Sequence, residues 1–132
     1  MPRLYLLLFA TIVFSACNKP TGIKDLVSTA DSAAINFYKG DGTMDTVTRV
    51  VILKDKKQLD SLAAYIESGS SKNSDCGYDG SIHIFKNDLV IRHIDFRMNE
   101  RDCMHFSFTM DKRVFYTKLS TTAKQFLQLI NK

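Results

Sequence analysis

The pattern of apolar and polar residues changes period several times along the chain. Alternation over residues 33–39 and a β-branched run over residues 45–53 predict two strands, with Gly40-Asp41-Gly42 as the turn of a hairpin. After Tyr78 the pattern is that of strands as far as residue 118. It predicts a meander of four antiparallel strands, over residues 81–85, 89–98, 103–110 and 113–118.

Two segments have the three- and four-residue apolar spacing of an amphipathic helix. Asp55 with Gln58 forms a capping box at the start of the first helix, and Gly69 ends it. Its apolar stripe is Leu59, Leu62, Ala63 and Ile66. Ser120 caps the second helix, whose apolar face is Leu119, Ala123, Phe126, Leu127 and Ile130.

The order of these elements is β-β-α-β-β-β-β-α, which predicts an α+β fold. We expect one antiparallel sheet of about six strands. Because the stripe of a single helix cannot cover six strands, both helices should pack on the same face of that sheet.

The N-terminal residues have a different pattern, that of an export signal. Arg3 supplies a positive charge, residues 4–14 are apolar except for Thr11, and Ser15-Ala16 are small. The apolar run is shorter than the roughly 20 residues of a membrane-spanning helix. It also lacks the polar face of an amphipathic helix. We therefore expect residues 1–16 to be a signal peptide.

The end of this segment, Phe14-Ser15-Ala16-Cys17, resembles the lipobox of bacterial lipoproteins, although Phe14 stands where Leu is usual. The resemblance implies cleavage before Cys17 and attachment of acyl chains to its thiol and new amino terminus, which would anchor the protein to a membrane. Asn18 rather than Asp follows, which by the same resemblance favours the outer membrane. The alternative is an ordinary signal peptide with a cysteine near its cleavage site.

These assignments divide the chain into three parts. Residues 1–16 are the signal peptide, residues 17–31 a lipid anchor and tether with a short helical turn around residues 24–29, and residues 32–132 a single domain. Removing the leader leaves 116 residues, enough for one domain with a modest core.

Charge does not indicate a nucleic-acid partner. Without Arg3 the chain has 17 basic and 14 acidic residues, an excess of +3, and the signs alternate along the sequence. Nucleic-acid binding requires a concentrated basic stripe with stacking aromatic residues. We expect binding to a membrane through lipid on Cys17, and to an envelope protein or a cell-wall component.

The other two cysteines, Cys76 and Cys103, form an even pair in a chain destined for an oxidising compartment. Such pairs in exported domains usually form disulfides. Closing this loop of 27 residues should stabilise the fold by roughly 3 kcal/mol.

Strand alternation separates a core face from a polar face in the meander. The core face contains Ile94, Phe96, Met98, Met104, Phe106 and Phe108. The opposite face, directed away from the helices, contains the candidate binding residues His93, Asp95, Arg97, His105 and Ser107, beside Cys103.

Three interpretations of this polar face remain open. The first is a solvated sheet face with an Asp–Arg pair and a disulfide, which is ordinary for antiparallel sheets. The second is a surface that binds a ligand or partner. The third is a metal site using His93, Asp95 and His105 with a free cysteine. Structural zinc sites usually contain closely spaced Cys/His pairs, and an oxidised Cys103 cannot ligate, so we expect no metal and no cofactor.

Catalytic motifs are missing from the sequence. It contains no glycine-rich phosphate loop and no HExxH, and residues 77–81 do not form a nucleophile elbow. We therefore expect a membrane-anchored envelope lipoprotein that acts as a small non-catalytic binding or accessory module. The alternative is a periplasmic enzyme or metal-dependent protein that uses His93, Asp95 and His105. Convergence of these side chains in a concavity would favour that alternative.

Overall fold

The computed structural model describes residues 22–72 and 76–132. The expected signal peptide and the expected lipidation site, Cys17, lie outside these residues. No helix within the described part of the chain is long and apolar enough to cross a membrane.

The described residues form one six-stranded antiparallel sheet and three α-helices. In chain order the elements are α1 (Ile23–Ser28), β1 (Ser32–Phe37), β2 (Arg49–Leu53), α2 (Lys56–Ile66), β3 (Gly80–Lys86), β4 (Leu89–Arg97), a 3-10 turn (Arg101–Cys103), β5 (His105–Met110), β6 (Arg113–Lys118) and α3 (Thr121–Ile130). The order across the sheet is β2-β1-β3-β4-β5-β6. The predicted α+β class and strand number are confirmed.

Local sequence signals account for the starts of the two long helices. The carboxylate of Asp55 accepts a hydrogen bond from the backbone N–H of Gln58. The hydroxyl of Ser120 accepts one from the N–H of Ala123. Each cap satisfies one of the backbone donors that a helix leaves unpaired at its first turn.

The meander is built on two tight hairpin turns. Asn87 and Asp88 have φ angles of 51° and 62°, and Asp111 and Lys112 have the same two values. Two consecutive positive φ angles define a type I′ turn, whose twist matches that of antiparallel strands. The first turn joins β3 to β4 and the second joins β5 to β6. A longer connection, which contains the 3-10 turn, joins β4 to its neighbour β5.

All three helices pack on one face of the sheet. Their buried side chains belong to the same core cluster as the inward residues of the strands. The helical members of this cluster are Ile23, Val27, Leu59, Leu62, Ala63, Ile66, Ala123 and Leu127. The sheet contributes Ala33, Ile35, Phe37, Leu53, Ile82, Ile84, Ile94, Phe96, Phe106 and Phe108. Each large side chain buried in this way contributes about 1.5–3 kcal/mol.

The first helix changes the domain boundary that the sequence predicts. The sequence predicts a tether over residues 17–31 with a short helical turn around residues 24–29. The turn is present as α1, but it is part of the core, since Ile23 and Val27 are fully buried and Ala30 is 8% exposed. The folded domain therefore begins at or before Ile23 rather than at residue 32. Because α1 has only six residues, its sequence contains a single i, i+4 pair of buried apolar residues, Ile23 and Val27. One pair is too short a pattern to predict an amphipathic helix.

The predicted disulfide between Cys76 and Cys103 is confirmed. The two Cα atoms are 6.2 Å apart, within the usual range for a disulfide. Cys103 lies in the 3-10 turn between β4 and β5, so β5 begins two residues later than the sequence predicted. The bond joins this turn to the segment that precedes β3.

Candidate functional site

A band of polar residues crosses the sheet on the face that carries no helix. Register aligns one residue from each of the five neighbouring strands β1, β3, β4, β5 and β6. These cross-strand partners are Asn36, Ser81, Asp95, Ser107 and Tyr116. We call the face that contains this row the outer face. His83 and His93 are partners in the adjacent row.

The five predicted binding residues are not equally accessible on the outer face. The side chains of His93 and Asp95 are 50% and 27% exposed. Arg97, His105 and Ser107 are 6%, 1% and 7% exposed. All five residues lie on the face directed away from the helices, but Arg97, His105 and Ser107 are buried, so the five do not form one continuous exposed surface.

Two loops cover the Arg97 end of the outer face. Gly42 lies so close to this end that a Cβ there would be 2.9 Å from Arg97 Nη1. Gly77 has a φ of 68°, and the carbonyl oxygen of Gly42 lies so close to it that a Cβ at Gly77 would clash. The N–H of Tyr78 donates to the same carbonyl at 3.3 Å. Strand alternation cannot predict this cover because the loops are remote in sequence from Arg97.

Arg97 forms a buried ion pair beneath these loops. Its Nη1 donates to Asp79 Oδ1 at 2.6 Å, and the two side chains are 8% and 0% exposed. The second carboxylate oxygen of Asp79 accepts from the backbone N–H groups of Met98 and Asn99, at 2.8 and 2.9 Å. The arginine expected to form an exposed pair with a nearby aspartate is thus a structural residue.

His105 is also enclosed. The rings of Tyr78 and Tyr116 each contact it edge-on, with centroids 5.8 Å away. Its Nδ1 donates to the carbonyl oxygen of Cys103 at 2.6 Å. His105 therefore does not converge with His93 and Asp95.

A chain of hydrogen bonds lies in the open part of the outer face. Asn36 Nδ2 is 3.2 Å from both Ser81 Oγ and His83 Nδ1. His83 Nε2 lies 2.9 Å from His93 Nδ1, and His93 Nε2 lies 2.8 Å from Asp95 Oδ1. The chain connects β1, β3 and β4 through side chains alone.

Donor and acceptor chemistry gives this chain a direction. The amide nitrogen of Asn36 can only donate, so His83 Nδ1 accepts and the proton of neutral His83 is on Nε2. His93 Nδ1 then accepts from His83, and His93 Nε2 donates to the carboxylate of Asp95. Both imidazoles are neutral in this arrangement, and all four ring nitrogens have a partner.

Burial favours the neutral form of His83. Partial desolvation lowers its pKa from the ordinary 6.5, and the neighbouring His93, when charged, lowers it further. The carboxylate of Asp95 opposes both effects by raising the pKa. The net direction is downward.

An open groove of about 470 Å³ adjoins this series of hydrogen bonds at His93 and Asp95. Strands β4 and β5 pair only between Ile94–Phe108 and Arg97–His105, and the groove lies where they separate. Its lining includes His93, Asp95 and Ser107, together with residues 90–92 and 108–109. The volume is in the range of small-ligand sites.

The metal set considered from the sequence is not assembled. In the described part of the chain, the grouping with three potential ligand atoms within 4.8 Å of one another is Cys76, Glu100 and Cys103. Both sulfurs of that grouping are in the disulfide and cannot ligate as thiolates.

Sequence reasoning missed three residues of the outer face, namely Asn36, Asp79 and His83. Alternation over residues 81–85 is sufficient to place His83 on the face of the strand that is opposite to the face of Ile82 and Ile84. Its contact with His93 depends on strand register, which the sequence pattern does not specify. Asp79 precedes β3 and had no periodic signal.

Comparison with known proteins adds no functional assignment. The chain matches no protein-family model, no curated protein sequence and no solved structure.

We predict that Arg97→Met lowers the free energy of unfolding by about 3–5 kcal/mol, because it leaves the buried carboxylate of Asp79 without its counter-ion. Glu100→Gln is the matched control. Glu100 is 51% exposed and contacts the same guanidinium at 3.1 Å, so its loss should change stability by about 0.5 kcal/mol or less. Urea denaturation measures both. Equal effects of the two substitutions would contradict a structural role for the buried pair.

We predict that the stability conferred by His83 depends on pH. Above 6.5 the residue is neutral in both folded and unfolded chains. Below 6.5 the unfolded chain takes up a proton, whereas folded His83 does so only nearer its lowered pKa. The stability of the wild type relative to His83→Gln should therefore decrease as the pH falls from about 7.5 towards 5. Urea midpoints measured across this range test the prediction, and parallel curves for the two proteins would disprove it.

Proposed function

We propose that this protein is a membrane-anchored envelope lipoprotein that acts as a small non-catalytic binding module, and that the open part of its outer face contacts the partner. The observation that carries the proposal is the one-sided packing of the helices. It leaves His93, Asp95 and the adjoining groove accessible on the other side of the sheet.

Exposed apolar side chains on the outer face support a binding role. Register places four of them on this face, on β2, β4 and β6, around the polar band. They are Val50, Ile52, Val90 and Val114, each between 52% and 55% exposed. Apolar residues grouped on one face, with polar groups among them, are typical of interaction surfaces. The apolar residues would provide affinity, and the polar band would orient an envelope protein or cell-wall component.

The lipid anchor rests on the resemblance of Phe14-Ser15-Ala16-Cys17 to a lipobox. Four residues separate Cys17 from Gly22, where the described fold begins. The five Cα–Cα steps from Cys17 to Gly22 can span at most roughly 18 Å. Attachment at Cys17 would thus keep the domain close to the membrane surface and favour partners that are located there.

An enzyme that uses His93, Asp95 and His105 is the second candidate, and the groove beside His93 is the observation in its favour. A general base needs a ring nitrogen that can reach the substrate. Both nitrogens of His93 already have partners, and His105 is enclosed by two tyrosines. These contacts make the binding role the better supported of the two.

We predict that Cys17→Ser releases the protein from the membrane fraction, because the substitution removes the thiol that would carry lipid. The measurement is fractionation of cells that produce the full chain, with mass spectrometry of the N-terminus. We expect the parent protein to be membrane-bound and acylated, and the variant to be unacylated and released or unprocessed. Unchanged membrane retention of the variant would contradict the lipoprotein proposal.

We predict that Val90→Asp weakens capture of envelope partners after cross-linking, because it places a charge in the apolar rim of the outer face. Leu129→Asp is the matched control, since Leu129 is 63% exposed on α3, away from this face. Both variants should retain the melting temperature of the parent within a few degrees. Equal capture by both variants would contradict the proposed surface.

A further inference from the structure

The two histidines of the outer face form a close cross-strand pair. His83 on β3 and His93 on β4 are register partners, with ring centroids 4.7 Å apart and ring planes at 55°. Their facing nitrogens, His83 Nε2 and His93 Nδ1, are 2.9 Å apart. The side chain of His93 is half exposed. A small solvent ion can therefore reach the pair.

We propose that these two nitrogens bind a divalent transition-metal ion that prefers square-planar or tetragonal nitrogen coordination, with Cu²⁺ as the best-fitting ion. This site differs from the set of His93, Asp95 and His105. It depends on His83, and it includes neither His105 nor a cysteine.

The two nitrogens are close enough to reach one ion after the rings rotate. Their present separation of 2.9 Å is that of the hydrogen bond between the rings, which has to open when a metal binds. Because the histidines are register partners on neighbouring strands, rotation of the side chains can direct both lone pairs to one ion. Square-planar and tetragonal nitrogen sites suit Cu²⁺ and Ni²⁺, and Cu²⁺ binds nitrogen ligands more tightly than Ni²⁺ or Zn²⁺.

Both histidines also have partners that can orient them as ligands. A metal-binding histidine usually donates its second N–H to a carboxylate or another acceptor. His93 Nε2 already lies 2.8 Å from Asp95 Oδ1, and the Nδ1 lone pair, which accepts from His83 in the metal-free protein, becomes available to the metal when the proton leaves His83 Nε2. Asp95 also supplies a negative charge beside the ion.

The partner of His83 is the side-chain amide of Asn36. When His83 Nε2 binds the metal, its proton moves through solvent to Nδ1. Rotation of the amide by 180° then presents Oδ1 to the Nδ1–H and to the hydroxyl of Ser81, which lie 3.2 Å from the present position of Nδ2. No proton is gained or lost overall, and the Nδ1–H of His83 and the hydroxyl of Ser81 each have Oδ1 of Asn36 as an acceptor.

The test is Cu²⁺ titration of the full chain in detergent, without a polyhistidine tag and with the disulfide oxidised. Every sample carries Cys17→Ser, because a free thiol would itself bind copper. Electron paramagnetic resonance should show one Cu²⁺ per chain with two imidazole nitrogens. His83→Gln and His93→Gln should each abolish the two-nitrogen signal. Asp95→Asn should weaken binding about tenfold to a hundredfold.

Asp60→Asn is the matched control, because Asp60 is an exposed carboxylate on α2 that pairs only with Lys56 among the ion pairs found. It should leave Cu²⁺ affinity unchanged. Nuclear magnetic resonance of the Cys17→Ser chain gives a second measurement that does not depend on the folding of the histidine variants. Sub-stoichiometric Cu²⁺ should broaden the imidazole signals of His83 and His93 and spare those of buried His105.

Three results would overturn the proposal. The first is a two-nitrogen signal that persists in a folded His83→Gln or His93→Gln variant. The second is broadening that spares His83 and His93. The third is tighter binding of Zn²⁺ than of Cu²⁺, because it would contradict the assignment of Cu²⁺ as the preferred ion.

Discussion

The buried carboxylate of Asp79 is the interaction on which the outer face depends. It accepts hydrogen bonds from Arg97 and from the backbone N–H groups of Met98 and Asn99, so it joins the start of β3 to the end of β4. A charge in the interior is tolerated only when it is paired and hydrogen-bonded, and both conditions are met here. The loop that contains Gly42 packs on Arg97, the segment that contains Gly77 packs on Gly42, and the Cys76–Cys103 bond joins that segment to the 3-10 turn after β4. This arrangement determines which part of the outer face is closed.

The closed end has a direct consequence for the open end. With Arg97 and His105 covered, the accessible polar groups are reduced to those around His93 and Asp95, next to the groove between β4 and β5. The same polar band therefore combines two environments. One end is a buried network with structural partners, and the other is a solvent-facing surface on which a partner molecule or an ion can be bound.

The series of side-chain hydrogen bonds from Asn36 to Asp95 makes the open end of the outer face ordered as well as accessible. Its members come from three strands, and each restricts the orientation of the next. A surface whose polar groups are already positioned loses less conformational entropy when it binds a ligand. The same positioning makes His83 and His93 suitable as paired ligands for a metal ion, independently of the identity of any macromolecular partner.

The amino-acid sequence by itself determined the strands, the two long helices, the α+β class and the pairing of Cys76 with Cys103. Alternation and helical spacing are local, and only one pair of cysteines is available beyond the N-terminal segment. Tertiary structure alone decided that α1 belongs to the core, that Arg97 pairs with Asp79, and that His83 meets His93. These outcomes depend on loop packing and strand register. Both are set by contacts between residues far apart in the chain, which local periodicity does not record.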